Sequence, residues 1–468
     1  MKYLHKLFSI LAIFFPLFAA GQGMEITVIP TVKTDSLSLC QYKFSKYQPL
    51  ALSVTKTEKQ TVFKSKTALE PGIYLLKADT NEIAEILVSD KKNQKFRITF
   101  GHDFIAFDNN EENNKYAEYL SKKAEFALKL KKIEKEFSDT QKGNLPDYMK
   151  KNIISNLIAD AQKTEKEKSE YFQKLMTENE NTLLASVVKC DLELPTPPQA
   201  CYQNPRLMLQ YVAEHTFDSY PFEDERLINS KIAADKLKQY GSTLYQFEGR
   251  DGEPYITNLL KKLSNYSDKT YYFFFDNLER TIGSLKSPFW CENLYIIMLK
   301  DALARPNLEN ARSARYNFEL GRLNKNLRGS ILPNFKIMLS NDSITDLYSV
   351  ESEFMILYFQ NPDCPTCTDV RNRMAKMETV NKAIASGKLK VLTVYFEEDE
   401  ALWRRYLKDK ANPAYLHGWD YLHEIENKEL FDLRIIPYIF FLDKDKKVLK
   451  KDLLVNEIED FVKRYVVY

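Results

Sequence analysis

No sign of charge dominates this chain. Its 67 lysines and arginines stand against 65 aspartates and glutamates, which leaves no global basic field to hold nucleic acid. Runs such as "KLKKIEKE" alternate sign in the manner of a solvated helix face. Long apolar runs are missing after the N-terminus, so no later segment reads as a membrane-spanning helix. Cysteine is scarce, six in 468 residues, and Cys40, Cys190, Cys201 and Cys291 are scattered, which excludes a disulfide scaffold. Cys190 and Cys201 flank "DLELPTPPQA" and are near enough in sequence to be bridged, but two buried free thiols are the favoured reading. No second Cys-x-x-Cys and no closely spaced histidine pair completes a zinc set, and the lone His417 and His423 have no supporting ligands. Neither a metal nor any other cofactor is therefore expected. The helical stretch shows no fixed repeat.

What is present begins with "MKYLHKLFSILAIFFPLFAAGQG". Lys2 and Lys6 make a positive start, Leu7 to Phe18 an apolar core too short to span a bilayer, and Ala19, Ala20 and Gly21 a small-residue cleavage region. Residues 1–21 are predicted to be a secretory signal peptide, and the absence of a cysteine after the apolar core argues against a lipid-modified start. The mature protein is expected in the periplasm or cell envelope, without stable membrane insertion, where thiols meet oxidants.

The length exceeds one ordinary core, so roughly two to four domains are expected. Residues 24–108 alternate in the manner of strands: in "KFRITF", Phe96, Ile98 and Phe100 are separated by polar residues, and Pro71-Gly72 marks a turn. A β-sandwich is predicted there. Over 110–327 the period lengthens. Phe126, Leu130, Ile133 and Phe137 fall on one helical face, and breaks at "DTQKGNLPDY", "ELPTPPQACYQNP", "QFEGRDGEP" and "ARPNLEN" divide an all-α domain of eight or nine helices. The aromatics of "TYYFFFDNLERT" read as core. In 329–468 the continuous apolar runs "FMILYF" and "KLKVLTVYF" suit strands covered on both faces, and "RIIPYIFFLDKDKKVLKKD" reads as a strand, a turn and an antiparallel partner. Ile458, Phe461, Val462 and Tyr465 line a closing helix. This order gives an α/β unit with a central mixed sheet, so the fold class is multidomain α+β.

The chemistry concentrates in "YFQNPDCPTCTDVRNRM". Six cysteines place a pair three apart in roughly 6% of such chains by chance, so the spacing alone is only suggestive. The setting says more. Cys364 directly follows an apolar strand and falls at the first turn of a helix, where unpaired N–H groups and the helix dipole favour a thiolate. Cys364 is therefore the nucleophile. Cys367 lies one turn deeper and is the resolving thiol, which attacks a mixed disulfide on Cys364 and releases the partner. Pro365 suits the first helical position because its missing N–H is not needed there. Asp363 acts the other way, since a carboxylate beside the nucleophile disfavours the anion. Pro437 stands at the start of an otherwise central-looking strand, where proline is tolerated only in special positions.

These features together resemble the thioredoxin superfamily, and most closely its extracytoplasmic TlpA/ResA-type members (AhpC/TSA-related), whose opening Gly-x-x-x-Pro-x-Phe is matched by Gly329, Pro333 and Phe335. The resemblance implies a thioredoxin fold for 329–468, a redox-active disulfide between Cys364 and Cys367, and a cis-proline loop in which Pro437 is the cis residue and Ile436 supplies the backbone contact to substrate. It also implies protein thiol or disulfide substrates and an upstream membrane electron donor. The three-part layout is similar to exported multidomain proteins of Bacteroidetes, in whose helical module "HTFDSYPFEDERLINS" looks like a recurring stretch. Two departures stand out. Asp363 replaces the tryptophan common before the first cysteine, and Tyr358 occupies the place of the buried carboxylate that assists proton transfer, with Glu397 and Glu398 as candidate substitutes. The expected function is a periplasmic thiol–disulfide oxidoreductase; the alternative is a cell-envelope binding or scaffold protein that uses the domain for partner contact or redox sensing.

Overall fold

The structure is a computed structural model that describes residues 23–43, 46–92, 94–228, 230–247 and 251–466. The expected signal peptide lies outside the described residues. The chain forms two compact units, divided between Phe289 and Trp290.

The first unit opens with strands β1 (Met24–Pro30), β2 (Leu37–Lys43), β3 (Lys46–Pro49), β4 (Ser53–Lys56), β5 (Thr61–Ser65), β6 (Gly72–Ala78), β7 (Asn81–Val88), β8 (Lys95–Phe100) and β9 (Ile105–Asp108). They make two sheets, ordered β4-β5-β1-β8-β9 and β3-β2-β6-β7. One core joins them: Ile26, Val28, Phe96, Ile98 and Phe100 from the first sheet pack with Leu39, Leu76 and Ile86 from the second. Along β8 burial alternates as its sequence does, because successive side chains of a strand point to opposite faces.

Helices follow: α1 (Glu111–Lys142), α2 (Asp147–Glu178), α3 (Leu183–Cys190), α4 (Gln199–Gln203), α5 (Pro205–His215), α6 (Lys231–Tyr245), α7 (Glu253–Leu263) and α8 (Asp268–Ile282). Asn110 caps α1 by accepting the N–H of Asn113. Of the apolar face read along α1, Phe126 is buried, while Leu130, Ile133 and Phe137 are only half-buried. On α8, Tyr271, Phe274 and Phe275 are fully buried, each such aromatic being worth roughly 2–3 kcal/mol.

The second unit begins with α9 (Glu292–Leu303) and α10 (Asn310–Leu323). Ten α-helices thus stand among the described residues of 110–327, against the expected eight or nine. The short α4 hides in a proline-rich stretch that reads as a plain break, and Asn204 caps the next helix at once by accepting the N–H groups of Arg206 and Leu207.

The remaining elements are β10 (Lys336–Leu339), β11 (Ile344–Asp346), β12 (Phe354–Phe359), α11 (Pro365–Ala375), α12 (Glu378–Ala385), β13 (Leu389–Tyr395), α13 (Glu400–Asp409), β14 (Leu416–Trp419), α14 (Glu424–Asn427), β15 (Tyr438–Asp443), β16 (Val448–Lys450) and α15 (Ile458–Tyr465). Their strands form one mixed sheet in the order β11-β10-β14-β13-β12-β15-β16. β12 and β13 are parallel, and β12 and β15 antiparallel. Cores lie on both faces of the sheet. Met355, Leu357 and Phe359 point into one, Ile356 and Tyr358 into the other, which is why "FMILYF" is apolar throughout. Lys451, nearly buried, fastens α9 and α10 to this sheet. Its Nζ pairs with Glu292 at 2.8 Å and donates to the carbonyls of Leu323 and Lys325 at the end of α10, where a cation meets the negative pole of the helix.

Candidate functional site

β12, an interior strand, ends at Phe359 at one end of the sheet, and the loop Gln360–Asp363 turns the chain into α11. Asn361 shapes that loop: its Oδ1 accepts the N–H of Asp363 at 2.8 Å, its carbonyl that of Cys364 at 3.2 Å, and its Nδ2 donates to Glu397 at 2.8 Å. Cys364 is the N-cap residue of α11, with extended backbone (φ −74°, ψ 119°). The following proline dictates this, since it disfavours helical backbone in the residue before it while suiting the first helical position itself.

The Cys364 sulfur accepts the backbone N–H of Cys367 at 3.3 Å. One free donor of the first turn thus points at the half-buried sulfur. Cys367 is fully buried. Burial first, and the hydrogen bond with Cys364 second, push its thiol up to about 12. The two cysteines differ as an attacking and a resolving thiol would: one at a helix mouth, the other sealed a turn below it. Both are free, as are Cys190 and Cys201, which are buried and unbridged.

Tyr358, which takes the place of a carboxylate, is fully buried and donates its hydroxyl to the Cys367 carbonyl at 2.8 Å. Burial raises its pKa above the ordinary phenol value. Glu397 and Glu398 are exposed. Glu397 is engaged with the Asn361 amide, and neither is bonded to a cysteine among the described residues. The carboxylate role proposed for them therefore has no contact to rest on.

The Ile436–Pro437 peptide is cis. β15 begins at the next residue, and its Tyr438 is registered opposite Phe359, the last residue of β12. Pro437 and the cysteine loop therefore leave the sheet at the same end of two neighbouring strands. The segment before Pro437 is held to α10. Asp432 receives Arg322 and Arg434, each at 2.7 Å, and Arg434 also reaches Glu319 at 2.8 Å. Burial raises the Asp432 carboxyl, but the bonds from the two arginines outweigh it and hold the pKa below the usual range.

Sequence reasoning missed a set of buried polar groups beneath the loop. Arg371, Gln360, Thr393 and His417 are all nearly inaccessible. His417 Nε2 faces the Asn412 carbonyl at 2.8 Å, so it carries the proton, and Nδ1 accepts from Thr393 at 2.7 Å. Burial lowers the pKa of this histidine. The position of Arg371, four residues after Cys367, was the available signal, since that spacing puts both on one helical face.

The family model described as "Domain of unknown function (DUF5106)" matches residues 159–326, a span that includes "HTFDSYPFEDERLINS". No curated protein matches the chain. Among solved structures, a thioredoxin-like protein from Bacteroides caccae is 25% identical, with a TM-score of 0.53, over 58% of this chain and 98% of that one. The C-terminal domain of an uncharacterized protein from Bacteroides fragilis is 33% identical over 29% of this chain and 97% of that one, with a TM-score of 0.29. The thioredoxin domain of a thiol-disulfide oxidoreductase from Bacteroides vulgatus is 18% identical over 30% and 98%, with a TM-score of 0.27. The similarity to the Bacteroides caccae protein fits a thioredoxin fold for the C-terminal part.

Proposed function

We propose that this chain is a periplasmic thiol–disulfide oxidoreductase that exchanges disulfides with protein substrates through Cys364 and Cys367. The carrying observation is the asymmetry of the pair: a half-buried sulfur at a helix N-cap, with its partner fully buried one turn inside. In the reducing direction the Cys364 thiolate attacks a substrate disulfide, forms a mixed disulfide and expels one substrate sulfur as a thiolate. Cys367 then attacks the Cys364 sulfur, the bond to the substrate breaks, and the second substrate sulfur leaves. Two electrons pass from the dithiol to the substrate disulfide, and the departing thiolates take protons from water. Ile436 and Pro437, at the same end of the sheet as the cysteine loop, form the substrate-binding edge. An upstream membrane electron donor restores the dithiol.

Insulin reduction by dithiothreitol tests this reading. The full chain should accelerate precipitation of the insulin B chain, and Cys364→Ser should abolish the acceleration. Equal rates for the two proteins would replace the oxidoreductase by a binding or scaffold role.

A further inference from the structure

The resolving thiol of a Cys-x-x-Cys pair must lose a proton in an interior that opposes its charge. Here, among the described residues, no carboxylate is bonded to it, and the charge of Arg371, one turn further along α11, favours its thiolate. Cys367 and Arg371 lie four residues apart on one face of α11, and Tyr358 near the end of β12 is followed two residues on by Gln360, the first residue past the strand, whose N–H still bonds the Val394 carbonyl of β13. The two pairs meet in register. The Tyr358 hydroxyl bonds the Cys367 carbonyl at 2.8 Å, and the Gln360 side-chain oxygen accepts from the Arg371 guanidinium. Arg371 is only 7% exposed. It donates a second bond to Thr368 Oγ1 at 2.8 Å, and its guanidinium carbon sits 5.0 Å from the centre of the Tyr406 ring. Among the described residues no carboxylate comes within ion-pair distance of it.

A guanidinium cannot give up its proton in a protein, so this buried charge lacks a counter-ion in the resting dithiol. The other titratable groups around it are Tyr358 on β12, Tyr406 on α13, His417 on β14, and Cys364 and Cys367 on its own helix. Burial raises both tyrosines and lowers His417, which leaves all three neutral near neutral pH. Asp363 on the loop, Glu397 after β13 and Asp369 on α11 are all exposed, and Asp369 pairs with Arg373. Among the described residues, the anion that forms deepest in this layer during turnover is the thiolate of fully buried Cys367, the half-buried Cys364 sulfur lying at the helix mouth.

We propose that Arg371 is the positioning residue of the resolving step, a buried cation that stabilises the Cys367 thiolate in place of a proton-accepting carboxylate. This rests on the oxidoreductase reading above. The Cys367 thiol releases its proton to water, and its sulfur attacks Cys364 in the mixed disulfide. The Cys364–Cys367 bond forms while the bond to the partner breaks, and the partner leaves with the electron pair. The charge on Cys367 vanishes as the new bond forms, so the cation favours the state just before attack.

The experiment follows thiolate release from dithiobis(nitrobenzoic acid) by stopped flow, using the full chain in a Cys291→Ser background. Attack by Cys364 releases one equivalent, and resolution by Cys367 releases a second. Arg371→Met and Arg371→Gln remove the charge, the first also filling the space beside Tyr406. Each should leave the first phase unchanged and slow the second about threefold at any pH below the pKa of the thiol, the tenfold loss of thiolate for one pKa unit being partly offset by the stronger nucleophilicity of the more basic sulfur. Arg371→Lys should restore most of the rate. If either folded neutral variant keeps the original second phase, or if the lysine variant is as slow as the neutral ones, the assignment to Arg371 fails. A parent protein that releases only one equivalent would instead overturn the reading of the cysteine pair itself.

Discussion

Raising the pH from 7 to 9 should accelerate resolution far more than it accelerates the first attack. The Cys367 thiol is pushed up to about 12, chiefly by burial. Burial, the larger cause, persists when Cys364 carries a partner, so the thiolate stays a small fraction at both pH 7 and pH 9 and rises about tenfold per unit between them. Because only the thiolate attacks, resolution should climb about a hundredfold over those two units without levelling off. An unperturbed thiol near 8.5 would already be flattening by pH 9. The mixed disulfide on Cys364 should therefore be the accumulating species at neutral pH. Mixing the reduced protein with oxidised glutathione, quenching in acid and weighing the intact chain would count it directly. A resolution rate that levels off between pH 7 and 9 would refute the reasoning, because it would place the proton loss on a group far more acidic than a thiol sealed in this core.

Two further predictions concern the frame around the pair. His417 is held neutral, its folded pKa lying below its ordinary value of 6.5, chiefly through burial. The stability it supports is complete above the unfolded value and is lost as pH falls from there towards the lowered folded one. Urea midpoints should therefore drop between pH 7.5 and 5.5 by more in the wild type than in His417→Gln, and equal drops would contradict this. Asp432→Asn would leave Arg322 without its carboxylate and Arg434 with Glu319 alone. A cost of about 2 kcal/mol is expected, between exposed and buried ion pairs. It should appear as faster hydrogen exchange over residues 429–437, and unchanged exchange there would show that the ion pairs do not restrain the segment.

The chemistry was more legible in the sequence than its surroundings. Cys364 is marked by an apolar strand ending just before it and a proline just after it, both local signals, and local backbone preference places it at the N-cap. Pro437 is marked by its misfit in an apolar run. The alternation in "KFRITF" and the continuous "FMILYF" state directly how many faces of each strand are covered. Short elements carry too few residues for a period to show. β14, only Leu416–Trp419, and β10, only Lys336–Leu339, pass unnoticed for that reason, as does α4. Periodicity also cannot say which core a helix joins. α9 and α10 look like their predecessors, and what ties them to the second unit are contacts more than a hundred residues away in sequence, Lys451 with Glu292 and the end of α10, and Asp432 with Arg322. Arg371 is the sharpest case. An arginine on an otherwise polar helix reads as solvated, and only the register of α11 against Tyr358 and Gln360 buries it.

The central claim is that Cys364 takes a partner covalently and Cys367 releases it. The most direct measurement is to express Cys367→Ser, separate the extract by non-reducing electrophoresis and identify the adducts by mass spectrometry. The account predicts disulfide-linked complexes joined through Cys364, dispersed by reductant and absent from the Cys364→Ser, Cys367→Ser double variant. Adducts of equal abundance in that double variant, or joined through Cys291, would contradict it.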